Sequence, residues 1–413
     1  MNRLVVLGAG TAGTMVVNRL RRRLPRARWQ ITLIEPSDRH FYQPGYLFLP
    51  FGGYSTHDIV RSTHQYVPEG VDLRYRTVEE IAPDESVVRL SDGERLPYDY
   101  LVVATGVQPR PDQTEGLLDG GEWRRSIFDF YTFTGAGALR RALARFQGGR
   151  LVVHTAEMPI KCPVAPLEFA FLADYWLRRR GLRGRTELVF ATPLPGAFTR
   201  PVAAERLGTM LDRRGILVEP DFPVERVEKR TLFGYDGREI PFDLLVTVPV
   251  NMGADYLARS GLGNELNLVR VDRRTLQSPA YPNLFVLGDA ADLPTSKAGS
   301  VAHFQAEIFT ENFLELIRGA PMSGRFDGHA NCFVESGAGR ALLLDFNYDT
   351  EPLPGHYPLP GVGPFKLLGE SMVNHWGKRA FRWAYWNLLL RGRPLPVPVH
   401  MSMAGKRRPN HPE

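Results

Sequence analysis

Six residues constrain this chain more than any others. Gly8-Ala9-Gly10-Thr11-Ala12-Gly13 directly follow a short apolar run over 3–7 and precede a helical pattern over 14–23. In a strand–turn–helix context, Gly8 permits the tight turn. Gly10 lets the backbone approach a pyrophosphate, and Gly13 allows the helix to pack closely on the strand. The helix N-terminus then favours the anionic phosphates. Glu35 ends a second strand pattern over 30–35, where a carboxylate is placed to hold ribose hydroxyls. The N-terminal segment is thereby committed to binding a dinucleotide, although the motif alone does not separate FAD from NAD.

The remainder continues the alternation. Strand patterns recur over 100–104, 150–154, 187–191, 244–249 and 284–287, with helical patterns over 137–146, 165–180 and 202–214. Strands alternating with helices predict parallel sheets in an α/β protein. From about residue 321, Gly, Pro and aromatic residues dominate until a final helical pattern over 369–390. At roughly 150 residues per domain, 413 residues suggest two or three domains. The expected division is a dinucleotide-binding domain formed by 1–110 and 275–320, a second domain over 111–274, and a C-terminal region over 321–413. Two cysteines, Cys162 and Cys332, exclude a disulfide-rich scaffold and show no metal-ligand spacing. A net charge of +6 is too mild to imply nucleic acid. The run Leu4-Val5-Val6-Leu7 reads as a strand, not as the apolar core of a signal peptide. The longest late apolar stretch, 383–390, falls short of the ~20 residues a membrane span needs. The expectation is a soluble or peripheral protein.

Two later segments add to the first motif. The strand over 100–104 runs into Ala104-Thr105-Gly106, and the strand over 284–287 runs into Gly288-Asp289. With these in order, the chain resembles the flavoprotein disulfide-reductase superfamily, which carries two Rossmann-like dinucleotide-binding domains in tandem. The resemblance implies FAD, with Asp289 on its ribityl chain. Members that use NADH carry a second glycine motif after the strand that opens the second domain. Here that strand, over 150–154, continues Thr155-Ala156-Glu157-Met158-Pro159-Ile160-Lys161-Cys162-Pro163, without glycine. A nicotinamide donor is therefore not expected, and a cysteine stands in the loop instead.

The segments Lys161-Cys162-Pro163-Val164-Ala165-Pro166-Leu167-Glu168, Gly288 through Lys297, and Asn331-Cys332-Phe333 resemble the sulfide:quinone oxidoreductases, as do the residues from Pro364 through Trp386. That likeness spans nearly the whole chain. It implies oxidation of hydrogen sulfide through a disulfide–persulfide cycle at Cys162 and Cys332. Electrons would pass through FAD to a membrane quinone, and sulfur would leave as sulfane sulfur or polysulfide. It further implies Lys297 near the quinone, and it leaves room for a homo-oligomer. Glu168 is a candidate proton relay or a solvated helix-face acid. Lys161 is a candidate for lowering the Cys162 pKa or a solvated lysine. Phe333 and Phe346 are weaker candidates for stacking a quinone, and His303 reads as a packing residue. Many bacterial members carry a third cysteine, absent here over 125–131, which leaves the product chain length open. A related flavocytochrome attaches its flavin through a cysteine in the first-domain loop. The loop over 40–46 has none, so FAD is expected to be non-covalent.

Residues 363–390 interleave aromatics with Lys378, Arg379 and Arg382, and Trp376 to Glu413 holds eight Lys and Arg against one acid. A basic, aromatic amphipathic helix suits a membrane surface. Three alternatives stand beside this reading. They are a sulfide dehydrogenase donating to a cytochrome, a type II NADH:quinone oxidoreductase, and an FAD-binding sulfur sensor without turnover.

Overall fold

In the computed structural model, which describes residues 1–408, the strand Asn2–Leu7 lies at the middle of a five-stranded parallel sheet. The order across it is Leu284–Val286, Tyr100–Val103, Asn2–Leu7, Trp29–Ile34 and Asp72–Arg74. The three central strands are runs of Leu, Val and Ile covered on both faces, as a parallel sheet requires. The last strand to join comes from the far end of the second sheet's sequence, so the first layer is discontinuous in the chain.

A second five-stranded parallel sheet repeats the plan. Its order is Ile127–Phe128, Leu244–Val248, Gly149–Thr155, Thr186–Ala191 and Leu217–Glu219. Each sheet carries a three-stranded antiparallel meander at the same point, before its late strand. These meanders are Val78–Ala82, Val87–Leu90, Arg95–Pro97 in the first and Val224–Glu228, Thr231–Gly234, Glu239–Pro241 in the second. The helices Ala165–Arg179 and Pro201–Arg213 connect the strands of the second sheet.

The C-terminal region departs from the expected texture. Residues 330–346 form a β-hairpin, Ala330–Gly337 and Arg340–Phe346, extended into a four-stranded sheet by Phe365–Leu367 and Gly355–Tyr357. The helix Gly299–Leu316 also lies outside the expected helices. It is buried nearly all round, so it shows no amphipathic period to read. The helix expected over 14–23 begins at Thr11, since the Thr14 N–H already donates to the Gly10 carbonyl at 3.1 Å. The helix expected from 137 starts at Phe133, capped by Thr132, whose hydroxyl accepts the Gly135 N–H at 3.0 Å. The pattern over 369–390 resolves into the helix Met372–Ala384 and a wider π turn, Tyr385–Leu389. Glu413, counted in the charge of the tail, lies outside the described residues.

Candidate active site

Backbone geometry builds the phosphate cradle. Gly8 sits at φ +94°, and a Cβ there would stand 2.6 Å from the Ala104 carbonyl oxygen. A Cβ on Gly13 would lie 1.9 Å from the Gly8 oxygen, which forbids any side chain. Gly10 differs: apart from its own chain neighbours, no atom of the described residues lies within 4 Å of where its Cβ would be. Buried Ala12 lies under the Gly288 turn, whose own Cβ position is 3.5 Å from the Ala12 methyl. The Glu35 carboxylate accepts the Ala9 N–H at 2.8 Å and the Ser37 N–H at 3.0 Å, while burial raises its pKa. Thr105 Oγ1 lies 3.1 Å from the Tyr256 hydroxyl, and Gly106 turns the chain at φ +66°.

One contact set here was not foreseen. The Tyr385 hydroxyl lies 2.9 Å from Thr11 Oγ1 and 2.7 Å from His40 Nε2, and His40 Nδ1 lies 3.0 Å from the Ala9 oxygen. The C-terminal π turn is thereby tied to the cradle loop.

In the second sheet the corresponding turn leads to Cys162. Its φ of +50° is a left-handed conformation that costs a non-glycine residue roughly 1–3 kcal/mol and persists only where the surroundings over-determine it. They do so here. The Cys162 N–H donates to the Lys297 carbonyl at 2.6 Å. Its own carbonyl accepts the Ala165 N–H at 2.9 Å and the Tyr131 hydroxyl at 3.0 Å. Lys297 completes the clamp, because its Nζ donates to the Asp289 carbonyl at 2.6 Å and the Ala291 carbonyl at 3.0 Å. One buried lysine therefore joins the cysteine loop to the Gly288-Asp289 turn. Burial holds its pKa down and pushes that of Asp289 up, and the two charges offset each other in part.

Cys332 arrives from the hairpin. Its strand packs on the helix Ala165–Arg179, and the Glu335 N–H donates to Glu168 Oε1 at 2.5 Å. Both thiols are free, and each feels the same neighbours, Glu168 and Lys378. Burial pushes the Cys332 thiol up to about 12 and the Cys162 thiol higher still, and the Glu168 charge adds to both shifts. The cation opposing this is Lys378, from the helix Met372–Ala384. It forms a buried ion pair with Glu168 and donates to the Phe333 carbonyl at 3.0 Å. Burial raises the Glu168 pKa, and Glu168 and Cys162 together hold that of Lys378 up. One expectation is corrected here: Glu168 is 1% exposed, not a solvated acid. Lys161 reaches Gln43 Oε1 at 2.9 Å, lies over the Tyr131 ring and is electrostatically coupled to Cys162.

Strand alternation sets the far side. Cys332 is buried, whereas its neighbours Asn331 and Phe333 line a cavity of about 140 Å³ together with Phe365, Phe381 and Val397. Phe346 lies elsewhere, buried beneath the Arg200 guanidinium.

A family profile described as pyridine nucleotide-disulphide oxidoreductase matches residues 2–307. The chain belongs to this family. Among its relatives is the mitochondrial sulfide:quinone oxidoreductase of Mus musculus, 28% identical over 398 residues, covering 94% of this chain and 86% of the mouse protein. The Dictyostelium discoideum protein of the same name is 27% identical, covering 95% and 87%. The solved structure of the sulfide:quinone oxidoreductase from Aquifex aeolicus superposes with a TM-score of 0.78 at 22% identity. That match covers 95% of this chain and 92% of the other, and it shows the fold.

As a pyridine nucleotide-disulphide oxidoreductase, the protein is an FAD-dependent enzyme, and its residues fit that cofactor. The uncovered backbone at Gly10 is a cradle that any side chain would fill. Beside it stand Gly8, Thr11, Ala12, Gly13 and Glu35, and the turns Ala104-Thr105-Gly106 and Gly288-Asp289 close the same edge of the sheet. The strand Gly149–Thr155 runs instead into the Cys162 loop, which lacks the glycine turn that follows Asn2–Leu7.

Proposed function

We propose that this protein oxidises sulfide at Cys162 and Cys332 and passes the electrons through FAD to a quinone. The observation that carries the reading is the Lys297 clamp, which fastens the cysteine loop to the Gly288-Asp289 turn. The named relatives support it, since they are sulfide:quinone oxidoreductases across nearly their whole length.

In the oxidised enzyme the two cysteines form a disulfide. Hydrosulfide attacks one sulfur: an S–S bond forms, the original S–S bond breaks, and a persulfide and a thiolate result. Transfer of the outer sulfur to an acceptor leaves two thiols. Their re-oxidation to the disulfide releases two electrons and two protons. FAD, when bound, would supply the two-electron acceptor between the thiols and the quinone. Lys378 stabilises the thiolate in a site that otherwise favours the neutral thiol, and Glu168 beside it takes up or returns the proton. Lys297 positions both loops instead of reaching toward the quinone. The backbone at Gly10, shaped by Gly8 and Gly13, would receive the pyrophosphate, with Glu35 on the ribose and Asp289 on the ribityl chain.

The aromatic cavity behind Phe333 is where the quinone ring docks. Among the described residues, no helix is long and apolar enough to cross a membrane. The helix Met372–Ala384 instead exposes Met372, Trp376 and Trp383 on one side, with Trp376 at 65% and Trp383 at 62% exposure. Such a face suits a lipid headgroup layer and supports a reading in which the protein sits on a membrane surface from which the quinone enters. Purified enzyme without a haem partner is expected to reduce a short-chain quinone with sulfide. Reduction of cytochrome c alone would refute the quinone and favour the cytochrome-linked alternative.

A further inference from the structure

His303 lies in the second turn of the helix Gly299–Leu316. It is 1% exposed, and neither ring nitrogen has a hydrogen-bond partner among the described residues. Buried polar groups are nearly always paired, so an orphan of this kind calls for a ligand. The His303 ring lines the same aromatic cavity as Phe333 and Phe381. Among the other titratable groups there, His329 and Asp345 are bonded to each other at 2.8 Å, Lys406 pairs with Asp345, and His400 Nε2 reaches the Arg325 carbonyl. Tyr357 is half-buried. His154 offers a contrast: it too is buried with one orphan nitrogen, but it packs on Phe222 inside the second sheet's core and lines no such cavity.

The helix also touches what the reaction needs on either side. Gln305 Oε1 accepts the Gly288 N–H at 2.7 Å, and Ser300 Oγ donates to the Asn331 carbonyl at 2.8 Å. Behind the ring, Glu307 Oε1 stands 3.6 Å from His303 Nε2, and Glu307 pairs with Arg19 at partial exposure. Glu307, at partial exposure, is thus the carboxylate beside the imidazole.

Resting on the quinone reading above, we infer that His303 hydrogen-bonds a carbonyl oxygen of the acceptor quinone and delivers one of the two protons of its reduction. The quinone takes two electrons from reduced flavin. One imidazole N–H bond breaks as an O–H bond forms, and the other ring nitrogen gains a proton from water, which restores the neutral ring. The second proton comes from solvent or from the flavin. Burial and the Arg19 charge hold the His303 pKa at about 3, so the ring is neutral at working pH and carries one N–H to give.

The test separates the half-reactions in holoenzyme by stopped flow. For His303→Phe, anaerobic bleaching of the flavin by sulfide is expected to stay within twofold of native. Re-oxidation by a short-chain quinone is expected to slow by about 10²-fold, the usual contribution of a positioned acid–base group. The affinity for a redox-inert quinone analogue, read from quenching of tryptophan fluorescence, should fall about tenfold. His303→Gln keeps a donor but no relay, so analogue affinity should return while re-oxidation stays slow. Re-oxidation at the native rate in either variant, or equal slowing of both half-reactions, overturns the assignment. If no quinone re-oxidises the native flavin, the functional reading fails and takes this inference with it.

Discussion

The two parallel sheets share one spatial order and one meander each, yet the turn after the corresponding central strand differs between them. After Asn2–Leu7 the chain makes an open glycine cradle at a helix start. After Gly149–Thr155 it makes a longer loop that holds Cys162 in a left-handed conformation. The turn beyond the first strand is where an α/β sheet exposes backbone to a ligand. Filling it with phosphate or with sulfur is a local change that leaves the scaffold intact. In the second sheet that loop carries a thiol, and Lys297 fastens it to the Gly288-Asp289 turn of the first.

The sharpest way to break this comparison is to fill the first cradle. Gly10→Val meets open space in the protein, so the chain should fold with an unchanged apo-protein Tm while FAD content, measured by absorbance, drops to near zero. Gly13→Ala would instead strike the Gly8 oxygen and lower the Tm itself. At the corresponding turn of the second sheet, exposed Glu157→Val should leave flavin content at the native level. A second nucleotide site there would show itself as flavin or nicotinamide lost on that change.

The next effect concerns the charges around the thiols. Lys378→Met leaves Glu168 buried without its partner, which is expected to destabilise by about 3–5 kcal/mol in urea unfolding. Adding Glu168→Gln should recover most of that loss. If the single change is neutral, Lys378 is not the counter-charge of the site.

The smallest expected effect lies in the first cradle. His40 is buried and neutral, its pKa lowered by burial from 6.5 to about 4. The unfolded chain binds the proton more readily, so stability is full above pH 6.5 and declines as pH falls toward 4. The urea midpoint of His40→Gln should be flatter over that window than the native midpoint. Parallel slopes would mean that His40 does not remain neutral in the fold.

Much of this site was legible because its chemistry is local. The glycines, Glu35 and the Cys162 loop each lie within a few residues of a strand end, where spacing and residue type speak directly. What escaped was long-range or uniformly buried. Lys378 looked like one of several cations on a membrane-facing helix, and only the packing of that helix on the hairpin turns it toward Glu168, 210 residues away in sequence. Tyr385 and Trp386 looked like membrane anchors but are 2% and 4% exposed, because the π turn folds them onto the cradle loop. The helix Gly299–Leu316 is buried round most of its circumference, with only a narrow polar strip at Glu307, Glu311 and Glu315, so periodicity passed over it and over the His303 within it.

The central claim is that sulfur, not a nicotinamide, reduces this flavin through Cys162 and Cys332. Anaerobic mixing of holoenzyme with hydrosulfide or with NADH, followed at the flavin absorbance, tests it most directly. The expected result is full bleaching by hydrosulfide, no bleaching by NADH, and loss of the sulfide response by about 10³-fold or more in Cys162→Ser and Cys332→Ser at unchanged flavin content. Rapid bleaching by NADH, or native sulfide reduction in either serine variant, would contradict the account.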